Sequence, residues 1–157
     1  MTSSPLLYAL LILLHVLAAA FWVGGMATLH LTVRPVAAAL LPPPQRLPLM
    51  AGVLRRFLIG VDAALTLLWV SGFAMLGRMG GFAGAHWRVH AMVGLAALMT
   101  AIYLTIRAGA FPKLRRAVAA HDWPEAGAAL ARIRVRVSFN LVLGVLVFVV
   151  VLLGRAA

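Results

Sequence analysis

The sequence has 157 residues, 64% of them hydrophobic and only 11% charged, and it contains no cysteine. A soluble domain carries about 25% charged residues, so this chain cannot cover a wetted surface and reads as an integral membrane protein. The net charge of +11 does not indicate a nucleic-acid binder, because the basic residues fill the gaps between apolar runs and form no continuous face. Without cysteine there is no disulfide, thiolate metal site or thiol nucleophile.

The first segment opens as "MTSSPLLYALLILLHVLAAAFW". Ala18-Ala19-Ala20 resembles a cleavage site, but no basic residue precedes the apolar stretch and the stretch continues past it. We read it as a retained first helix. Four apolar runs follow one another, over residues of about 6–31, 57–76, 89–106 and 137–153. Each approaches or exceeds the ~20 residues needed to cross a ~30 Å hydrocarbon core. None alternates as a strand would. The predicted fold is all-α: a single transmembrane domain, 1–157, forming an up-down four-helix bundle.

The gaps carry the topology. The first holds Arg34, Arg46, Arg55 and Arg56 with the breaker "PPP" at 42–44, and the second, "GRMGGFAGAHWR", is glycine-rich. The third holds Arg107, Lys113, Arg115, Arg116, Arg132, Arg134 and Arg136. Eleven of the fourteen Lys and Arg therefore fall in gaps one and three, leaving Arg78, Arg88 and Arg155 on the other side. The positive-inside rule then predicts both termini on the outer, periplasmic side of a bacterial inner membrane. In gap three, Asp122 precedes Trp123-Pro124 and Glu125, the pattern of a helix start. A short interfacial helix over about 123–134 is expected, leading into or continuous with helix four.

Ionisable residues inside membrane helices mark function by default. Here they are His15, His30, Asp62 and His90, with Asn140 as a neutral companion; His86 and His121 fall near loops. His15 lies nine residues into helix one, roughly 13 Å deep at 1.5 Å per residue. It shares its predicted membrane side with His86 and His90. Helices one and three run in the same direction and are diagonal in an up-down bundle, so His15 and His90 could both face the axis. Small residues accompany each: Ala18 and Ala19, then Trp22 and Met26, below His15; Gly94, Ala97 and Ala101 below His90. That room admits close helix packing or a flat macrocycle between two axial imidazoles. The expected cofactor is heme b, ligated by His15 and His90 and lined by Ala19, Trp22 and Gly94. Copper is the alternative, since soft thioethers with imidazole suit Cu(I); its candidate ligands are Met75, Met79, His86 and His90, among seven methionines that include Met1. Methionine also serves as ordinary core filler. Asp62, the only acid within a span, is grouped with Arg56 and Asn140 as a polar cluster near the cytoplasmic face. No Gly-x-Ser-x-Gly elbow, P-loop, His-Glu-x-x-His or carboxylate cluster is present, which argues against a hydrolase or an ATP-driven pump.

"LHVLAAAFWVGGMATLHLTVRP" resembles the first helix of CopD-like membrane proteins, with its His, Trp, paired Gly and basic residue before Pro. "RRFLIGVDAALTLLWVSGFAML", "WRVHAMVGLAALM" and "ARIRVRVSFNLVLGVLVFVVVLLGR" carry the resemblance through helices two to four. CopD implies copper uptake across the inner membrane, often beside a periplasmic copper carrier. The same order is similar to HemJ-type protoporphyrinogen oxidases, four-helix heme b proteins in which a helix-one His and a His-Ala-Lys stretch opening helix three carry function. His15 matches the first; "HAM" at 90–92 matches the second, with Met92 in the place of the lysine. Three expectations follow: a heme b protein acting in electron transfer or as a heme-dependent oxidoreductase, a CopD-type copper-handling protein, or a cofactor-free accessory subunit. Besides the lipid bilayer, the partners these readings admit are a redox protein, a periplasmic copper carrier and a second copy in a homo-oligomer, and no nucleic acid.

Overall fold

The computed structural model describes residues 5–153, and among them there is no strand. Four long helices contain the apolar runs: α1 Pro5–Leu40, α2 Pro43–Arg78, α3 Trp87–Ala119 and α4 Trp123–Leu153. All four are long and apolar enough to cross a membrane, so the chain is a multi-pass membrane protein whose solvent is the bilayer. Met1 and Arg155 lie outside the described residues.

The helices outrun the apolar segments. At 36 residues α1 and α2 extend ~54 Å each, against a ~30 Å hydrocarbon core. Most of the basic residues of gaps one and three therefore ride on helical backbone. The expected interfacial helix at 123–134 is the first part of α4 and no separate element. Hydropathy marks where the solvent changes, whereas a helix runs on until local chemistry stops it.

Those stops are identifiable. Between α1 and α2, Leu41 and Pro42 are extended, because the residue before a proline is pushed out of the helical region. Pro43 then begins α2, where its missing N–H is no loss. Gly80 and Gly81, at φ +83° and +74°, reverse the chain after α2, as glycine does without a Cβ penalty. One helical turn, Gly81–Gly84, leads on towards α3. The Asp122 carboxylate accepts from the Glu125 backbone N–H at 3.0 Å and caps α4.

Two π-helical stretches interrupt the odd-numbered helices, Leu29–Val33 in α1 and Thr105–Ala110 in α3. Each ends just before a proline, Pro35 and Pro112. Proline removes a donor and its ring crowds the carbonyl four residues back. The wider turn relieves this: Arg34 N–H reaches Leu29 O and Phe111 N–H reaches Ile106 O, each five residues back.

α1 packs along α2 and α3 along α4, with α4 also touching α1 and α2. The α1–α2 seam is a reciprocal lock. Phe57 of α2 lies over Gly25 of α1, and Phe21 of α1 lies over Gly60 of α2. The two rings are 6.0 Å apart between centroids. The buried core is densest at the end carrying the α1–α2 and α3–α4 turns, where Leu47, Leu54, Phe111, Leu114, Ala126 and Ile133 meet. We call this the basic end. At the other, histidine end, no residue of α3 before Met99 is fully buried.

Candidate functional site

The membrane-embedded middle of the bundle carries a polar belt to which every long helix contributes. On α1, His15 Nδ1 lies 3.0 Å from Ser71 Oγ of α2. Two residues back on α2, Trp69 Nε1–H donates to Thr100 Oγ1 of α3 at 3.3 Å. Next to Thr100, the Met99 carbonyl accepts from Asn140 Nδ2–H of α4 at 3.0 Å. Asn140 is 1% exposed, and its Oδ1 has no partner among the described residues.

The belt assigns the tautomer of His15. The Ser71 hydroxyl has one proton, and Oγ lies 2.5 Å from its own-helix Leu67 carbonyl. That contact takes the proton, so Ser71 must accept from His15 Nδ1–H. The remaining nitrogen, Nε2, then holds a lone pair. This is the arrangement of a metal-ligating histidine, whose second N–H is tied to a fixed acceptor. Gly72 eases the approach: a Cβ there would stand a tight 3.3 Å from His15 Cε1.

The histidine end holds two further imidazoles, His86 and His90. His90 Nδ1 faces the His86 backbone carbonyl at 3.3 Å. A carbonyl only accepts, so His90 carries its proton on Nδ1 and also presents Nε2. His86 is the reverse. Its Nδ1 accepts from Arg88 Nε–H at 3.1 Å and from the Arg88 backbone N–H at 3.4 Å, which leaves the proton of the neutral ring on Nε2. Here His86 is an N-cap and not a lone-pair donor. Met75 and Met79 follow Ser71 at i+4 and i+8, so Ser71, Met75 and Met79 line one stripe of α2 in steps of ~6 Å.

The expected His15/His90 pairing is not brought together. Trp69 pairs with Thr100, so Ser71 sits ~3 Å and His90 ~15 Å towards the histidine end of that contact, about 12 Å apart along the axis. His15 turns sideways onto α2, while His90 is exposed, turns back along its own helix and leans on Phe82, with ring centroids 5.6 Å apart. The small residues read as clearing space do not frame a shared cavity either. Gly94, Ala97 and Ala101 are exposed on the outside of α3. Trp22 is a core residue, set edge-on against Tyr103 at 6.2 Å, and Ala19 is half-buried. Two axial ligands of one iron must face each other across one macrocycle, so these residues do not fit a bis-histidine heme b.

The polar cluster also regroups. Asp62 accepts from Arg107 Nε–H at 3.1 Å and from the Tyr103 hydroxyl, which also lies 3.0 Å from the Leu58 carbonyl. Arg56 is six residues before Asp62, some 240° around the helix, and it is exposed; Asn140 belongs to the belt. The overlooked residues had a signal: Tyr103 and Arg107 are four apart, on one face of α3. Ser71 and Thr100 had none beyond being polar in apolar sequence. Among the described residues no three His, Asp or Glu side chains converge on a metal position.

The family described as CopD, copper resistance protein D, matches residues 51–153. That segment contains Ser71, Met75, Met79 and His90, and it begins after His15. No curated protein and no solved structure matches the chain.

Proposed function

The chain belongs to the copper resistance protein D family, and from that premise we propose that it passes copper, as Cu(I), into and through the bilayer. The observation that carries this reading is the contact of His15 Nδ1 with Ser71 Oγ, whose own proton faces the Leu67 carbonyl, an arrangement that leaves His15 Nε2 as a lone-pair nitrogen within the span. Cu(I) is soft and favours thioether and imidazole. By helical rise His90 and Met79 stand at about one level on either side of the α2–α3 turn, Met75 is one turn further in, and His15 meets α2 at Ser71. An ion on this route exchanges one neutral ligand for the next and keeps its oxidation state throughout. Donors at intervals of one turn suit passage, which needs binding tight enough to enter and weak enough to leave.

Under the positive-inside rule the basic end faces the cytoplasm. The histidine end then receives copper on the periplasmic side of a bacterial inner membrane, and a copper carrier there is the implied partner. Copper is the cargo in this reading, with no resident cofactor.

The test is a titration of the purified protein with Cu(I) against a chromophoric chelator, paired with copper uptake by cells. The wild-type protein is expected to compete for Cu(I), and His15→Ala to lose a site and slow uptake. A wild-type protein that takes no Cu(I) overturns the proposal. An absorption spectrum of the same preparation separates the other reading: a Soret band lost in His15→Ala replaces copper with heme.

A further inference from the structure

A second site lies at the opposite end of the molecule. A cleft of about 220 Å³ opens among all four helices at the basic end. Its walls are apolar, with Leu47, Met50, Leu54 and Phe57 from α2 facing Ile133 and Val137 of α4. Its rim is basic, with Arg34, Arg46, Arg134 and His30. The π-helical stretches form part of it, since Leu29 and His30 belong to one and Ile106 to the other. Such bulges concentrate at functional sites because they re-aim backbone and side chains.

Among the described residues the rim charges are uncompensated. The chain has three side-chain carboxylates, and each is engaged elsewhere. Asp62 is bound to Arg107 and Tyr103, Glu125 to Arg132, and Asp122 to the α4 backbone. The side chains of Arg34, Arg46 and Arg134 have no hydrogen bond or ion pair with any described residue. Three guanidiniums around an apolar slot call for a ligand with an anionic head and an apolar tail. Arginine suits phosphate oxygens, which its planar fork can bind in pairs.

We infer that the basic-end cleft is a binding site for an anionic phospholipid, its phosphate held among Arg34, Arg46 and Arg134 and part of one acyl chain between α2 and α4. The cleft's lining passes from apolar residues of the spans to the arginines of the helix extensions, the transition that matches the headgroup layer of a bilayer. Basic pockets between transmembrane helices recognise anionic headgroups in this position. At about 220 Å³ the slot is below the ~300–1,000 Å³ of pockets that engulf a drug-sized ligand. It therefore takes a segment of chain, with the rest of the lipid remaining in the bilayer. The site is independent of the copper reading and uses none of its residues.

The experiment is native mass spectrometry of the purified full chain with lipid added. Phosphatidylglycerol is compared with phosphatidylcholine, and inorganic phosphate is a third arm read by thermal stability. Retention of phosphatidylglycerol is expected at least tenfold above phosphatidylcholine, with no effect of inorganic phosphate at matched concentration. Arg34→Gln, Arg46→Gln and Arg134→Gln should each weaken that preference about fivefold, as loss of one surface charge near an anionic lipid does. Ala131→Trp, which fills the slot from an exposed lining position, should abolish retention while the arginines remain. Equal retention of the two lipids, or preference unchanged in the arginine variants, overturns the site. An equal response to inorganic phosphate overturns the lipid and leaves a bare anion site. Because the glutamine variants alter only the rim, they keep the test valid if Ala131→Trp fails to fold.

Discussion

His15 Nδ1–H donates to Ser71 Oγ because the serine hydroxyl already donates to the α2 backbone. Copper affinity should therefore depend on a residue that never touches the metal. Ser71→Ala is expected to lower Cu(I) affinity about 10–100-fold, the usual effect of losing an outer-shell partner of a metal-bound histidine, and Ser71→Thr to retain most of it. Chelator competition reads both; an unchanged affinity in Ser71→Ala would remove Ser71 from the site. The Asp62–Arg107 pair behaves differently. Its side chains are 41% and 43% exposed, so Arg107→Gln should cost about 1 kcal/mol or less and leave Cu(I) binding unaltered. Detergent-denaturant unfolding measures the first and the chelator assay the second. A loss of copper binding in Arg107→Gln would show that the cargo route passes the Asp62 cluster.

At the scale of the helix, the α1–α2 seam is set by two glycines and two phenylalanines. Neither ring has room if its glycine gains a side chain. Gly60→Leu should destabilise the bundle by about 1–3 kcal/mol through overpacking. Adding Phe21→Ala should recover part of that cost, because the two changes share one space. Purely additive losses in the unfolding midpoints would mean the seam is not the tight contact seen here. The same seam brings His15 to Ser71 and Gly72, so its loss should weaken copper binding as well as stability. The π-helical stretches show a second element-level rule. Pro35 and Pro112 do not end their helices; each widens the turn before it, and the helix continues at the basic end.

For the whole molecule, the charge asymmetry carries an orientation that chemistry can read directly. With no native cysteine, single substitutions are clean probes. Ala83→Cys, in the α2–α3 turn, should react with an impermeant maleimide on intact spheroplasts, and Ala120→Cys, at the basic end, only after the membrane is opened. The opposite pattern would invert the bundle and with it the direction of copper entry. The two ends also differ in construction: a packed core under the basic end, and a looser histidine end where no residue of α3 before Met99 is fully buried. The buried core therefore lies beneath the basic-end cleft, and the histidine end, the entry side under the proposed function, is the less tightly packed.

The membrane class, the four spans and the clustering of the basic residues at one end could be read from the sequence, because hydropathy and charge placement answer to the bilayer before any tertiary contact forms. So could the candidacy of His15, since an imidazole in hydrocarbon must have a partner or a purpose. Which partner it has could not be read. Helical spacing places a residue on a face, but the rotation and level of the facing helix come from packing, here from the Phe21, Gly25, Phe57 and Gly60 lock. That lock sent His15 to Ser71, while the packing of α3 against α4 and α2 turned Gly94, Ala97 and Ala101 outward. That packing also exchanged Arg56 and Asn140 for Tyr103 and Arg107 as the neighbours of Asp62. Sequence by itself determined which residues are costly in a membrane; only the tertiary structure decided which of them meet, because the meeting depends on contacts between helices far apart in the chain.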